Sequence, residues 1–314
     1  MTSSAAFPFR VGFLGPEGTF TEQALLTQPD LLEGELVALP SIPDVLAAAA
    51  AGEVDYGFVA IENAIEGSVN VTLDTLAFET DLLIEREVVI AVHLNLLARP
   101  GVSLLDIKTV MSFPHATAQC RAFLTRELPG VQAQATNSTA DAARMLAEDG
   151  DEHTAAIGTV RAAEVYGLEI LASGIEDHPE NATRFVVVAR EGIPARTGHD
   201  KTSIVVFQRT DAPGSLLAIL QEFAARNINL TKLESRPTKT SLGDYCFLID
   251  LEGHIDDELV ADALRALKSK QAGVKFLGSY PAAGAEGPDV RREADEAWRR
   301  ADEWIQQLRR QVRR

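Results

Sequence analysis

Four places in the chain put hydroxyl or amide side chains where a strand is expected to give way to a helix. They are Thr19 with Thr21; Ser68, Asn70 and Thr72; Ser112 with His115; and Asn137 with Ser138. The first N–H groups of a helix lack intrahelical partners and the helix dipole is positive there, so each junction could hold an anion. Each also suits plain helix capping, because Ser, Thr and Asn satisfy the same N–H groups. Glu62-Asn63 closes one apolar run and Thr183-Arg184 opens another. Strand ends of this kind are where ligands sit in open α/β sheets. Arg184 offers a planar fork to a carboxylate, or an ion pair to Glu62. Several such junctions facing one cleft would suit a small polycarboxylate.

Other chemistries lack their residues. The chain has no G-x-S-x-G, no Walker motif and no G-x-G-x-x-G opening its first unit. Cys120 and Cys246 lie in apolar stretches without a C-x-x-C and read as buried free thiols. The six histidines are scattered, with no H-E-x-x-H, so neither a metal nor another cofactor is expected. A net charge of −17 argues against nucleic acid and anionic membrane surfaces as partners. An anionic ligand would then need a locally positive site. Residues 1–9 carry no apolar signal region, and no apolar run approaches the ~18 residues of a membrane span, so the cytosol is the expected location.

The elements that must position these residues follow from periodicity and punctuation. Val11–Leu14 reads as a strand, and Thr19-Phe20-Thr21-Glu22 as a capping box opening a helix to about Thr27. Leu36–Leu39 is a strand, Ser41 starts a helix ending near Gly52, and Tyr56–Ile61 is a third strand. A polar helix start at Ser68–Thr72 precedes Leu82–Leu97, which alternates as one long strand would. Further strands are expected at 109–112, 155–157 and 183–189, and helices at 118–128, 139–146 and 159–166. Alternating β and α elements argue for two α/β lobes between about residues 9 and 191, with the chain crossing near 80–92 and again near 173–185. Two crossings make a hinged cleft. After a Pro/Gly linker at 192–200, residues 201–280 read as βαββαβ, a ferredoxin-like module. The stretch 281–288 reads as a flexible linker. Residues 288–314 read as an amphipathic helix with Ala294, Ala297, Trp298, Ala301, Trp304, Ile305 and Leu308 on one face.

At five segments the chain resembles the prephenate dehydratase family: Gly15–Thr21, Ile61–Val69, Ser112–Ala116, Ser138–Ala143 and the tripeptide Thr183-Arg184-Phe185. Ala64 stands where that family usually has Ser, and His115 where it often has Gln; both bear on fine substrate contacts. The second module resembles an ACT domain of the phenylalanine-binding type, through Gly214-Ser215-Leu216-Leu217 and Glu234-Ser235-Arg236-Pro237. The resemblance implies an α/β fold: a two-lobed, periplasmic-binding-protein-like catalytic domain at 9–191, a ferredoxin-like ACT domain at 201–280 and the C-terminal helix. The lobes would be roughly 9–80 with 175–191, and 81–174.

The resemblance also implies a reaction, the decarboxylating dehydration of prephenate to phenylpyruvate in phenylalanine biosynthesis. It makes Thr183 the catalytic hydroxyl, which would act by hydrogen bonding in a dry site or within a relay, since an alcohol is a weak acid. Thr19, Thr21, Asn63, Ser68, His115, Ser138, Arg184 and Phe185 become candidate substrate contacts, Phe185 by packing. Gly214, Ser215, Leu216, Leu217, Asn229, Leu230, Glu234, Ser235 and Arg236 become candidates for binding phenylalanine as an effector. Partners would be prephenate, L-phenylalanine and further copies of the chain in a homo-oligomer joined through ACT domains. Arogenate in place of prephenate, and a non-catalytic two-lobed anion or amino-acid sensor, are the competing readings.

Overall fold

The computed structural model describes residues 7–208, 212–239, 244–271 and 273–284, together with 300, 303–305 and 307–311. The chain divides into two compact units, Met1–Thr80 with Val88–Arg190, and Asp81–Glu87 with Glu191–Arg314. Along the chain, the elements up to residue 190 are β1 (Arg10–Leu14), α1 (Phe20–Leu25), β2 (Glu35–Leu39), α2 (Ile42–Ala51), β3 (Tyr56–Asn63), β4 (Gly67–Ser68), α3 (Asn70–Asp74), β5 (Leu83–Ala91) and β6 (Asn95–Ala98). Then come β7 (Thr109–Ser112), α4 (Pro114–Gln119), α5 (Arg121–Glu127), β8 (Gln132–Ala135), α6 (Thr139–Asp149), β9 (Thr154–Gly158), α7 (Val160–Tyr166), β10 (Glu169–Ala172) and β11 (Ala182–Ala189).

The first unit holds two sheets. One has strand order β2-β1-β3-β11-β5, with β4 added on β3; the other runs β10-β6-β9-β7-β8. In the first, β1 is parallel to β2 and β3, and β11 returns antiparallel to β3. Val11, Phe13, Phe58, Phe185 and Val187 form its core with Leu25 of α1. Local signals decide the helix ends: the Ser41 side chain accepts from Asp44 N–H to cap α2, and Gly52 closes it in the left-handed region at φ 77°.

The expected long strand at 82–97 is instead two strands in two sheets. Val92 and Leu94, between them, are buried in the second lobe's core, and Val92 N–H donates to Asn181 carbonyl at 2.8 Å. Alternation persists through a change of sheet, so periodicity alone could not reveal it. The lobe boundary expected at 80/81 is corrected accordingly: β5 stays in the first sheet. The crossings run from β5 to β6 over residues 92–94 and from β10 to β11 over 173–181. Pro114 takes the first helical position, as its type suits, but the helix expected through 118–128 breaks at Cys120, whose φ and ψ are −111° and 15°. Strand β8, Gln-Ala-Gln-Ala, is exposed throughout and carries no apolar signal in the sequence.

The second unit contains β12 (Asp200–Phe207), α8 (Ser215–Ala224), β13 (Leu230–Pro237), β14 (Tyr245–Glu252), α9 (Glu258–Lys270) and β15 (Gly273–Pro281), in sheet order β13-β14-β12-β15. This is the βαββαβ arrangement expected. Ile204, Val206, Phe247 and Ile249 pack against Ile219, Phe223, Val260 and Leu267 of the two helices. Segment 81–87 belongs to this unit; Leu82 and Ile84 are buried, and Lys201 Nζ lies 2.7 Å from Glu87 Oε2. A β-carbon at Gly278 would collide with the Ile84 backbone, so glycine is what lets β15 come this close.

The 192–200 stretch is held rather than loose. Arg196 Nε lies 2.6 Å from Asp257 Oδ1, and His254 Nε2 meets the Pro194 carbonyl at 3.0 Å. In the expected C-terminal helix, Arg300, 303–305 and 307–310 are helical, and Trp304 and Leu308 are exposed. Ala294, Ala297, Trp298 and Ala301 lie outside the described residues.

Candidate active site

A cavity of about 430 Å³ opens in the first unit, a size suited to a small metabolite. Leu14, Thr19 and Phe20 line it from the β1–α1 turn, Asn63 and Glu66 from the end of β3, and Val92 and Leu94 from one crossing. Phe113, His115, Ala116 and Gln119 reach it from α4, Asn137, Ser138 and Thr139 from the start of α6, and Asn181 and Thr183 from the returning chain. Both lobes and both crossings therefore contribute.

No Lys or Arg is among these lining residues. The groups there that suit an anion are backbone N–H groups, because α1, α4 and α6 all begin at the cavity. Thr19 and Ser138 also cap their own helices: Thr19 Oγ1 accepts from Glu22 N–H at 3.1 Å, and Ser138 Oγ from Asp141 N–H at 2.9 Å. Capping and cavity lining thus coincide at the two junctions. Across the same cleft, Thr159 Oγ1 donates to Gly18 carbonyl at 2.7 Å, Arg161 Nη2 meets Glu22 Oε1 at 3.0 Å, and Tyr166 hydroxyl donates to Glu17 carbonyl at 2.9 Å. Glu22, expected to reach back in a capping box, accepts from Gly18 N–H and holds Arg161, so it serves two lobes.

Thr183 is buried at the cavity wall. Asn63 Nδ2 donates to its Oγ1 at 2.9 Å. The amide orientation follows from its neighbours: Asn63 Oδ1 accepts from Ile65 N–H and Glu66 N–H, both at 2.9 Å, and only an oxygen can do so. The Thr183 oxygen accepts this N–H, which leaves its own proton available to donate.

The other sequence-derived residues are placed as follows. His115 Nδ1 lies 2.7 Å from Glu66 Oε2, and its ring stacks on Phe113. Arg184 is outside the cavity lining, with Nη1 3.3 Å from Glu62 Oε2. Successive residues of a strand face opposite ways, so Thr183 and Arg184 cannot share one face. Phe185 is buried and stacks on Phe58 at 5.4 Å. Thr21 is buried in α1, and Ser68 pairs with Glu62 in β4; neither lines the cavity. Glu66, Gln119 and Asn181 line it without having been singled out. Spacing carried the signal: Gln119 is one helical turn beyond His115, and Asn181 is two residues before Thr183, hence on its face. Burial, with Asp177 and Glu176 nearby, pushes the Cys120 thiol up, so it packs rather than reacts.

The second unit has its own cavity of about 570 Å³. Gly214, Ser215, Leu216, Leu217 and Ser235 line it, with Tyr245 and Phe247. Glu234 and Arg236 flank Ser235 and pair with each other at 2.8 Å rather than lining it. Asn229 is exposed, its carbonyl accepting from Glu252 N–H, and Leu230 packs on the core.

A model of the prephenate dehydratase family matches residues 11–193, and one of the ACT domain matches 202–269. The chain belongs to the prephenate dehydratase family. It is 46% identical over 310 residues to a prephenate dehydratase of Mycobacterium leprae (strain Br4923), covering 96% of this chain and 94% of that one. The solved prephenate dehydratase of Arthrobacter aurescens in complex with L-Phe is 41% identical, with a TM-score of 0.87 over 96% of this chain and 99% of that one. A solved protein described as GqqA, a quorum-quenching acylase, is 29% identical, with a TM-score of 0.77 over 87% of this chain and 98% of that one. The chain is thus an enzyme of the prephenate dehydratase family with an appended ACT domain. Among the described residues, no helix is long and apolar enough to cross a membrane.

Proposed function

We propose that this cytosolic enzyme converts prephenate to phenylpyruvate in L-phenylalanine biosynthesis, with Thr183 hydrogen-bonded to the leaving hydroxyl and phenylalanine regulating it from the ACT domain. The observation that supports the reading is the Asn63–Thr183 contact, in which Thr183 Oγ1 is the acceptor and keeps its own proton to donate. In the reaction, the electron pair of the ring C–carboxylate bond moves into the ring as carbon dioxide departs. The ring π electrons shift, the C–OH bond at the opposite carbon breaks, and that oxygen takes up one proton and leaves as water. Thr183 stabilises charge growing on the departing oxygen, and the contact strengthens where water is excluded. The starts of α1 and α6, with Thr19 and Ser138, are suited to the substrate carboxylates.

An acylase would want a nucleophile beside a base. The cavity hydroxyls instead meet an amide N–H at Thr183 and backbone N–H groups at Thr19 and Ser138. Arogenate remains the closest competing substrate, differing by an amine. The test is phenylpyruvate release by purified protein from prephenate, beside phenylalanine release from arogenate, each with and without added phenylalanine. Turnover of prephenate is expected, and its absence would overturn the reading.

A further inference from the structure

Asn63 does not hold Thr183 alone. The second hydrogen of its Nδ2 meets Asn181 Oδ1 at 3.0 Å. Asn181 Nδ2 in turn donates to Gln119 Oε1 at 3.1 Å, and Gln119 Nε2 to Glu66 Oε1 at 3.1 Å. Both ends of this row have fixed polarity. Asn63 Oδ1 is committed to two backbone N–H groups, and the Glu66 carboxylate can only accept. Asn63 and the two amides between, Asn181 and Gln119, are therefore oriented one way, each accepting behind and donating ahead. Asn181 is 1% exposed, and its carbonyl takes Val92 N–H at 2.8 Å. It sits in one crossing, is tied by its backbone to the other, and joins Asn63 of the first lobe to Gln119 of the second.

We propose that Asn181 is a positioning residue for the reaction. Its Oδ1 takes the second Nδ2 hydrogen of Asn63 where the lobes meet, and so holds that amide, already oriented by the Ile65 and Glu66 N–H groups, with its other hydrogen on Thr183. The inference rests on the reading of Thr183 given above. An amide at this position must accept from Asn63 and donate to Gln119. A carboxylate can only accept, and would face the Gln119 oxygen. A protonated carboxyl can do both, which makes Asn181→Asp a reversible probe. Other titratable or charged groups on the adjoining segments are the Glu66–His115 pair, the His93–Glu176 pair on the two crossings, the Arg184–Glu62 pair, Asp177, which accepts from Ala122 N–H, and the exposed His178–Glu180 pair. They are unchanged in the variant and common to the wild-type profile.

The experiment compares kcat and KM for prephenate across pH for wild type, Asn181→Asp, Asn181→Ala and Thr183→Ala, with circular dichroism to check folding. Asn181→Ala is expected to lower kcat at least 10-fold with KM within about threefold. Asn181→Asp should be similarly slow at pH 8 and recover toward wild type as pH falls and the introduced carboxyl protonates. A folded Asn181→Asp whose profile runs parallel to wild type overturns the proposal, as does Asn181→Ala with kcat within twofold. If Asn181→Ala does not fold, the Asn181→Asp profile alone decides. If Thr183→Ala keeps wild-type kcat, the reading of Thr183 fails instead, and the two failures are told apart.

Discussion

Thr183 and Arg184 are neighbours in the chain, yet they answer to different forces. Thr183 faces the cavity and accepts from Asn63, so removing its hydroxyl removes a contact that gains strength only as the leaving oxygen gains charge. Thr183→Ala is expected to lower kcat by on the order of 10²–10⁴, the usual span for such a donor, while folding and phenylalanine binding survive. Steady-state kinetics on the folded variant checks this, and near-normal kcat would refute it. Arg184 faces the other way and is only 11% exposed, against Glu62. Lys keeps the charge but loses the planar fork. Arg184→Lys is therefore expected to lower unfolding stability by ~1 kcal/mol or more and to change kcat/KM only a few-fold. A 100-fold fall in kcat/KM without loss of stability would return Arg184 to the substrate.

At the scale of elements, the ACT helices show how a charge cluster ties two segments. Glu222 of α8 meets Arg226 at 3.0 Å and Lys270 of α9 as well. The hydrogen bond from Lys270 is the main influence holding its carboxyl below the usual range, opposed by burial. A depressed carboxyl pKa stabilises the fold above the unfolded value and loses that contribution as pH falls through the folded one. Acid titration of unfolding should therefore show a loss below about pH 4.5 that Glu222→Gln flattens; an unchanged slope would refute the link. Gly214 caps α8 at φ 86°, and a β-carbon there would meet open space. Its constraint within the chain is conformational. Gly214→Val places a branched residue in the left-handed region, at a strain of ~1–2 kcal/mol, and should reshape the start of α8 and the cavity beside it.

At the scale of the whole molecule, the chain joins the two units at residues 80/81, 87/88 and 190/191. Strand β5 contributes residues to both, and β11, whose second residue is Thr183, neighbours β5 in the first sheet. A ligand on the ACT domain can shift the catalytic cleft only through a difference in its affinity for two global states. Such coupling is typically ~1–3 kcal/mol, or about 5- to 150-fold in apparent substrate affinity. Paired activity titrations with phenylalanine, on wild type and Gly214→Val, should show a response in the first and none in the second, with basal turnover retained. Superimposable curves, or no heat of phenylalanine binding to wild type, would refute regulation at this site.

What sequence alone determined was local. Capping at Thr19, Ser41 and Ser138, the stop at Gly52, the βαββαβ order and the α/β class all depend on a residue and its near neighbours, which is the range over which helix caps and periodicity act. Motif order was enough to reach the family. The tertiary structure decided which junctions face one another. Thr19, Ser138, Asn63 and Thr183 meet at one cavity because two crossings bring the sheets together. Ser68, Thr21 and Phe185 do not, because strand alternation and core packing turn them elsewhere. The crossing at 92–94 was hidden because Val92-His93-Leu94-Asn95-Leu96 goes on alternating apolar and polar residues straight through it. The row from Asn63 through Asn181 and Gln119 to Glu66 spans separations of 118, 62 and 53 residues. No pattern in sequence carries a hydrogen bond across such distances; only the closed chain does.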